Sequence, residues 1–164
     1  MDKDGGAWVV RSSSFMPHVG GRVDYVSPDK KTVTTWTGHE LLGTASLTGT
    51  ASLTGTQEIR DVAVDKDGGL WFGTSGAGVF YCKAPGTVDH VYSAATGAWG
   101  DDTPMDNIFV LKFSGETLYV GSAGGVAWAD FAAAQGPPQR GIRDQIAQEI
   151  VTQVLLFIID FISG

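Results

Sequence analysis

The residues of this chain that could do chemistry are three histidines, one cysteine, and an Asp-Lys-Asp-Gly-Gly that occurs twice. The repeated pair of carboxylates, at Asp2-Lys3-Asp4-Gly5-Gly6 and at Asp65-Lys66-Asp67-Gly68-Gly69, opens like a calcium loop. A full loop of that kind needs a third oxygen side chain and a glutamate at its twelfth position. Neither copy supplies them; after the second, Leu70-Trp71-Phe72 follows at once. Each reads instead as a β-turn in which Asp bonds nearby backbone and Gly takes positive φ. His18, His39 and His90 have neither the mutual spacing nor the cysteine or carboxylate neighbours of metal ligands. Ser12-Ser13-Ser14 and Ser75 lack the strand–turn–helix setting of a nucleophilic serine. Gly73–Gly78 (GTSGAG) has neither the lysine nor the helix of a phosphate loop. Asp101-Asp102, just ahead of Pro104, reads as a solvated turn. Cys82 lies in the apolar run VFYCK and is expected to be a buried, inert thiol; as the sole cysteine it can form no intrachain disulfide. No catalytic residue, cofactor site or metal site emerges, and the chain is expected not to be an enzyme.

The tryptophans have two readings. Trp36 and Trp99 flank glycine-containing loops (WTGHE and GAWGDD), where an exposed ring could stack on a sugar or a partner. Packing in a core is the plainer alternative. Trp71 and Trp128 read as occupying matching strand positions or nearly so, and packing between blades is the default for such aromatics.

The elements that carry these residues repeat. A turn of Asp and Gly, an aromatic-centred strand and a second small-residue turn occur at Asp2–Val10, at Asp65–Gly78 and, more loosely, at Ser114–Gly125. Repeats of this kind mean stacked β units, each needing neighbours to bury its apolar face. Alternation and turn residues place four strands in the middle unit, at Ile59–Val64, Leu70–Thr74, Val79–Lys83 and Val88–Ser93. Four short antiparallel strands in about 40 residues is the layout of a propeller blade. The first unit has strands at Ala7–Ser12, Arg22–Ser27 and Thr32–Thr37 and lacks the opening one. The last has strands at Asn107–Phe113, Thr117–Gly121 and Gly125–Asp130 and lacks the closing one. Met1 falls just before a repeat turn, as in a trimmed segment or a unit completed by another chain.

VDKDGGLWFGTSGAGVFY (Val64–Tyr81) and LYVGSAGGVAWAD (Leu118–Asp130) resemble the bacterial propeller repeats of two-component regulators and, more distantly, those of streptogramin lyases. The resemblance covers about residues 1–131. Unit one departs from it, with AWVVRSSSFMPHVGG in place of the usual Gly-Thr after the aromatic. The resemblance implies an all-β fold of four-stranded antiparallel blades, about two and a half per chain, and a periplasmic or extracellular setting. It also implies a ligand-sensing role. The histidine and metal chemistry of lyase-type propellers matches no motif here residue by residue.

The expected organisation is an incomplete blade over 1–38, a low-complexity loop over 39–58, a full blade over 59–97 and an incomplete blade over 105–131. A linker over 132–139 and a C-terminal helix over 140–164 follow. The loop holds TASLTG twice in succession, at Thr44–Gly49 and Thr50–Gly55, and Leu47 and Leu53 could share one face of an added hairpin. The last 25 residues, RGIRDQIAQEIVTQVLLFIIDFISG, carry no β-turn signal. At helical spacing Ile146, Ile150, Val154, Phe157, Ile158 and Phe161 fall on one face. Leu155, Leu156, Ile159 and Ile162 widen it. Gln153 and Asp160 interrupt the apolar run, which falls short of the ~20 residues that span a bilayer. Such a tail could bundle with copies of itself, lie in a membrane surface, or cover this chain's own blade edge.

At 164 residues the chain can bury one real core. A net charge of −7 excludes a phosphate-binding surface of the nucleic-acid kind. No signal peptide is recognisable at the start. The function expected is a non-catalytic binding or assembly module whose partner is itself. The alternatives are a membrane-surface protein that inserts its tail, and the sensor fragment of a two-component regulator. The identity of any small-molecule or glycan ligand is not encoded in a recognisable motif.

Overall fold

A computed structural model describes residues 2–11, 22–42, 58–98, 106–130 and 139–140. They form three antiparallel sheets in which every strand bonds to its neighbour in the chain. The first sheet holds β1 (Ala7–Arg11), β2 (Arg22–Val26) and β3 (Val33–Thr37). The second holds β4 (Ile59–Val64), β5 (Leu70–Thr74), β6 (Val79–Ala84) and β7 (Thr87–Tyr92). The third holds β8 (Ile108–Ser114), β9 (Thr117–Ser122), β10 (Gly125–Asp130) and β11 (Gln139–Arg140). The all-β reading therefore holds.

The middle sheet is packed on both faces, because side chains alternate across a strand. Leu70 and Phe72 of β5, with Phe80 and Cys82 of β6, face a core shared with Val23 of the first sheet. Trp71 and Val79 face the opposite way, into a core with Ile108, Leu111, Leu118 and Val120 of the third sheet. Every residue of β5 is buried as a result. The same step relates successive sheets: β4 packs against β1, β8 packs against β5, and β4 also packs against β8.

One irregularity recurs. Arg60 in β4 and Phe109 in β8 each step out of register with the following strand. The Arg60 guanidinium lies 5.5 Å from the Phe109 ring centroid, a cation–π contact between the two bulges. The next residue of β4, Asp61, accepts the Leu111 N–H at 2.6 Å and the Val62 N–H at 2.9 Å.

Several expectations need correction. Residues 39–42 are not part of a loop: Gly38–Leu42 forms a short helix, α1, whose Leu41 and Leu42 are wholly buried in the first core. Glu40 accepts from the Thr37 backbone N–H at 2.7 Å and Thr37 Oγ1 accepts from the Glu40 N–H at 3.2 Å, a reciprocal cap. The last unit does have a fourth strand. β11 takes Gln139 out of the expected linker and Arg140 out of the expected helix, and pairs them with Trp128 and Ala127. Trp71 and Trp128 do not occupy matching positions. Trp71 is on a second strand and Trp128 on a third, where its counterpart is Tyr81. The duplication at 44–55 and the rest of the C-terminal segment, 141–164, lie outside the described residues.

Candidate functional site

The two Asp-Lys-Asp-Gly-Gly segments fold alike, and their geometry follows from residue type. Asp65 Oδ1 accepts the N–H of Asp67 at 3.0 Å and of Gly69 at 2.7 Å. Asp2 Oδ1 accepts those of Asp4 and Gly6 at the same two distances. Gly5 and Gly68 hold φ of 87° and 91°, where a side chain would be strained. The second carboxylate oxygen of Asp65 accepts the Trp71 indole N–H at 3.1 Å. In the first copy the Tyr25 hydroxyl donates to Asp2, which holds that carboxyl below its usual range and raises the Tyr25 phenol. Both carboxylates are thus engaged by N–H and O–H donors, as in a turn. Among the described residues no group of three or more His, Cys, Asp or Glu could hold a metal ion.

These turns stand side by side. Lys3 of the first turn lies over Gly68 of the second, its Cε 3.6 Å from where a Cβ would be. Lys66 of the second reaches Glu116, in the β8–β9 hairpin of the third sheet, at 3.2 Å. Beneath each turn lies a cross-strand aromatic pair: Trp8 opposite Tyr25, Trp71 opposite Tyr81, and Tyr119 opposite Trp128. An added Cβ on Gly69 would lie 2.6 Å from the Tyr81 ring, so glycine there lets the ring close over the turn.

The middle sheet extends its pair into a cluster. Trp71 stacks on Tyr92 at 5.7 Å and meets the edge of Phe113 at 6.1 Å. His90 stacks on Tyr81 at 6.3 Å, with its imidazole exposed. Burial raises the phenol of Tyr81, with the Asp65 and Asp89 charges adding to it, and burial alone raises that of Tyr92. His90 is one of the three sequence candidates, whereas Tyr81 and Tyr92 belong to no motif; alternation within VFYCK and VDHVY is the signal that places the three on one face.

The other sequence candidates are dispersed. Trp36 is half-buried, stacked on Trp8 at 5.2 Å against the first core, rather than presented on a loop. His39 is exposed on α1. Ser75 bridges to Asn107 and receives the Arg60 guanidinium at 3.3 Å, a structural joint between sheets. Cys82 is buried and its thiol is pushed up to about 12, chiefly by that burial. His18, Ser12–Ser14, Trp99 and Asp101-Asp102 lie outside the described residues, as do Ile146, Ile150, Val154, Phe157, Ile158 and Phe161.

One position sets the first sheet apart. Val9 in β1 corresponds to Phe72 in β5 and Val120 in β9, each the residue after the cross-strand aromatic. Phe72 is 0% exposed and Val120 3%, whereas Val9 is 45% exposed. In the second and third sheets the strands β4 and β8 bond along this edge. Among the described residues β1 pairs only with β2, and its other edge is open.

A two component regulator propeller family model matches residues 52–76. The match is short. It takes in β4, the Asp65–Gly69 turn and β5, the first two strands of the second sheet. No curated protein and no solved structure gives a match. The propeller-repeat resemblance therefore rests on this one segment and on the sheets themselves.

Proposed function

We propose that this chain is a β-propeller-type binding and assembly module, non-catalytic, that works as a homo-oligomer held by its open blade edges and its apolar C-terminal segment. The open edge of β1 carries the reading, because the other two sheets bond β4 and β8 along the matching edge, while exposed Val9 marks the face of β1 turned away from the second sheet. An uncovered edge offers a row of unpaired N–H and C=O groups and a template for another strand. Such contacts would be heterologous, closing into a ring if the rotation permits. The turns and aromatic pairs support the same reading, since they act as joints between neighbouring sheets.

The family match over 52–76 favours one further reading, a ligand-sensing fragment of a two-component regulator. In that case the aromatic cluster around Trp71 and His90 would face the ligand. Light scattering on the purified chain separates these readings. Self-association predicts a mass that is a multiple of 17.3 kDa at micromolar concentration. A stable, well-folded monomer would leave the sensor reading in place and remove the assembly one. A monomer that co-sediments with liposomes would point to the tail as a membrane-surface element.

A further inference from the structure

We infer that the joint between the second and third sheets is a proton-operated latch: Asp61 holds β8 against β4 while its carboxyl carries a proton, and the joint opens locally once that proton is lost. The latch is a device within one chain and stands apart from the assembly reading above.

The repeat singles out Asp61. β4 and β8 are the first strands of their sheets and share one register. Ile59 opposes Thr74 and Ile108 opposes Ser122; the next residue, Arg60 or Phe109, is bulged; Asp61 then opposes Gly73 and Val110 opposes Gly121. Where β8 has a valine, β4 therefore has a carboxyl. The strand and its bulge do not require an acid there, since β8 forms both without one. A buried carboxyl is a liability to a core, so its presence points to a role that valine cannot fill.

The surroundings of Asp61 fit a switch. Oδ2 accepts the Leu111 N–H of the third sheet at 2.6 Å, and Oδ1 accepts the Val62 N–H of its own strand at 2.9 Å. One carboxyl thus ties together the first strands of two sheets. Among the described residues no ammonium or guanidinium pairs with it. On the strands packed around it, Arg60 is taken up by Ser75 and the Phe109 ring, and Arg11 is paired with Asp24. Lys112 stands opposite Tyr119, and Leu70–Thr74 has no charged side chain. Burial disfavours the charged form and outweighs the two N–H donors that favour it, so the carboxyl is pushed up to about 6.

The direction of the switch follows. In the closed joint the proton stays on up to about pH 6, whereas in an open joint, where water reaches the carboxyl, it leaves near the ordinary 3.8. Closure is therefore favoured while the proton is present and weakens as pH rises between those values. What opens is a defined piece of core. Leu111 is 6% exposed and packs with Trp71, Ile108 and Val120. Release of its N–H loosens the contact through which the third sheet covers Trp71.

Native-state amide exchange of the full chain by NMR tests the latch, with rates corrected for the intrinsic pH dependence of exchange. Exchange through a local opening ignores low denaturant, whereas exchange through global unfolding is accelerated by it. The Leu111 amide should exchange through a local opening that grows about ten-fold between pH 5 and 7.5, the change that the two proton affinities require. Phe72 of β5 should exchange only through denaturant-sensitive unfolding. In Asp61→Asn the Leu111 opening should no longer depend on pH. The Asp61 carboxyl-carbon shift, read in the unaltered protein, should titrate with a midpoint of about 6. Leu111 exchange with the rate and denaturant dependence of Phe72 means that the joint opens only with the whole fold, and overturns the latch. A Leu111 opening that does not change with pH overturns it as well. A pH dependence that survives in Asp61→Asn, or a carboxyl midpoint near 3.8, overturns the part assigned to Asp61.

Discussion

Asp61 should make this fold lose stability as pH rises through the range in which most carboxylates are already ionised. Its carboxyl is pushed up to about 6 from 3.8 by burial at the β4–β8 joint, against the opposing pull of the Leu111 and Val62 N–H groups. Below about pH 4 the folded and unfolded states both hold the proton. Between pH 4 and 6 the unfolded chain releases it and the folded one keeps it, so the folded state is the more protonated and stability falls with pH. Above 6 the full penalty applies. A shift of about two units corresponds to roughly 3 kcal/mol, which for a chain of this length is on the order of 6–12 °C in Tm. Asp61→Asn keeps an acceptor for one of the two N–H groups and removes the titration. Thermal unfolding of both proteins from pH 3.5 to 8 measures the effect. The difference in stability should move by about 3 kcal/mol in favour of Asp61→Asn across that range. Asp2, Asp24, Asp29 and Glu40, whose pKa values are lowered by hydrogen bonds, lose stability as pH falls and do so in both proteins, so they cancel. A difference that stays constant with pH would refute the account of this joint.

Three further outcomes follow from the turns and cores. Gly69→Ala must displace the Tyr81 ring and the Asp65 carboxylate, and should cost about 1–3 kcal/mol in chemical denaturation; Gly68→Val, at positive φ, should cost a similar amount, and neither cost should change when calcium is replaced by chelator. Trp71→Phe keeps the ring stack but strips the indole donor from Asp65, so it should destabilise by about 1–3 kcal/mol, whereas a loss under 0.5 would mean the indole bond contributes nothing. Leu42→Ala should cost about 2–5 kcal/mol as a core truncation, against the near-zero effect expected of a loop residue.

Much of the fold was legible because the chain punctuates itself. The bounds of β4 and β5 follow from the Asp65–Gly69 turn between them, and the start of β10 from Gly124 and Gly125. α1 was hidden by its neighbourhood: Thr37-Gly38-His39-Glu40 has the spacing of a capping box, but it abuts the TASLTG duplication, and a low-complexity stretch reads as loop. β11 has two residues and no period of its own, so only its pairing with β10 defines it. The site divides the same way. The turn aspartates announce their bonding through the glycines that follow. The burial of Asp61 does not appear in IRDVAV, because it depends on the bulge at Arg60 and on a strand fifty residues away. The tryptophan positions misled for a related reason: the aromatic shifts between second and third strands from one sheet to the next, and the pair, not the position, repeats.

The most direct test of the central claim is amide hydrogen exchange of Ala7–Arg11 as a function of protein concentration. If a second copy covers this edge, the β1 amides should become as protected as those of Leu70–Thr74 when concentration rises, and lose that protection on dilution. Fast exchange in β1 at every concentration, with β5 fully protected, would mean that the edge stays open and that the chain does not assemble through it.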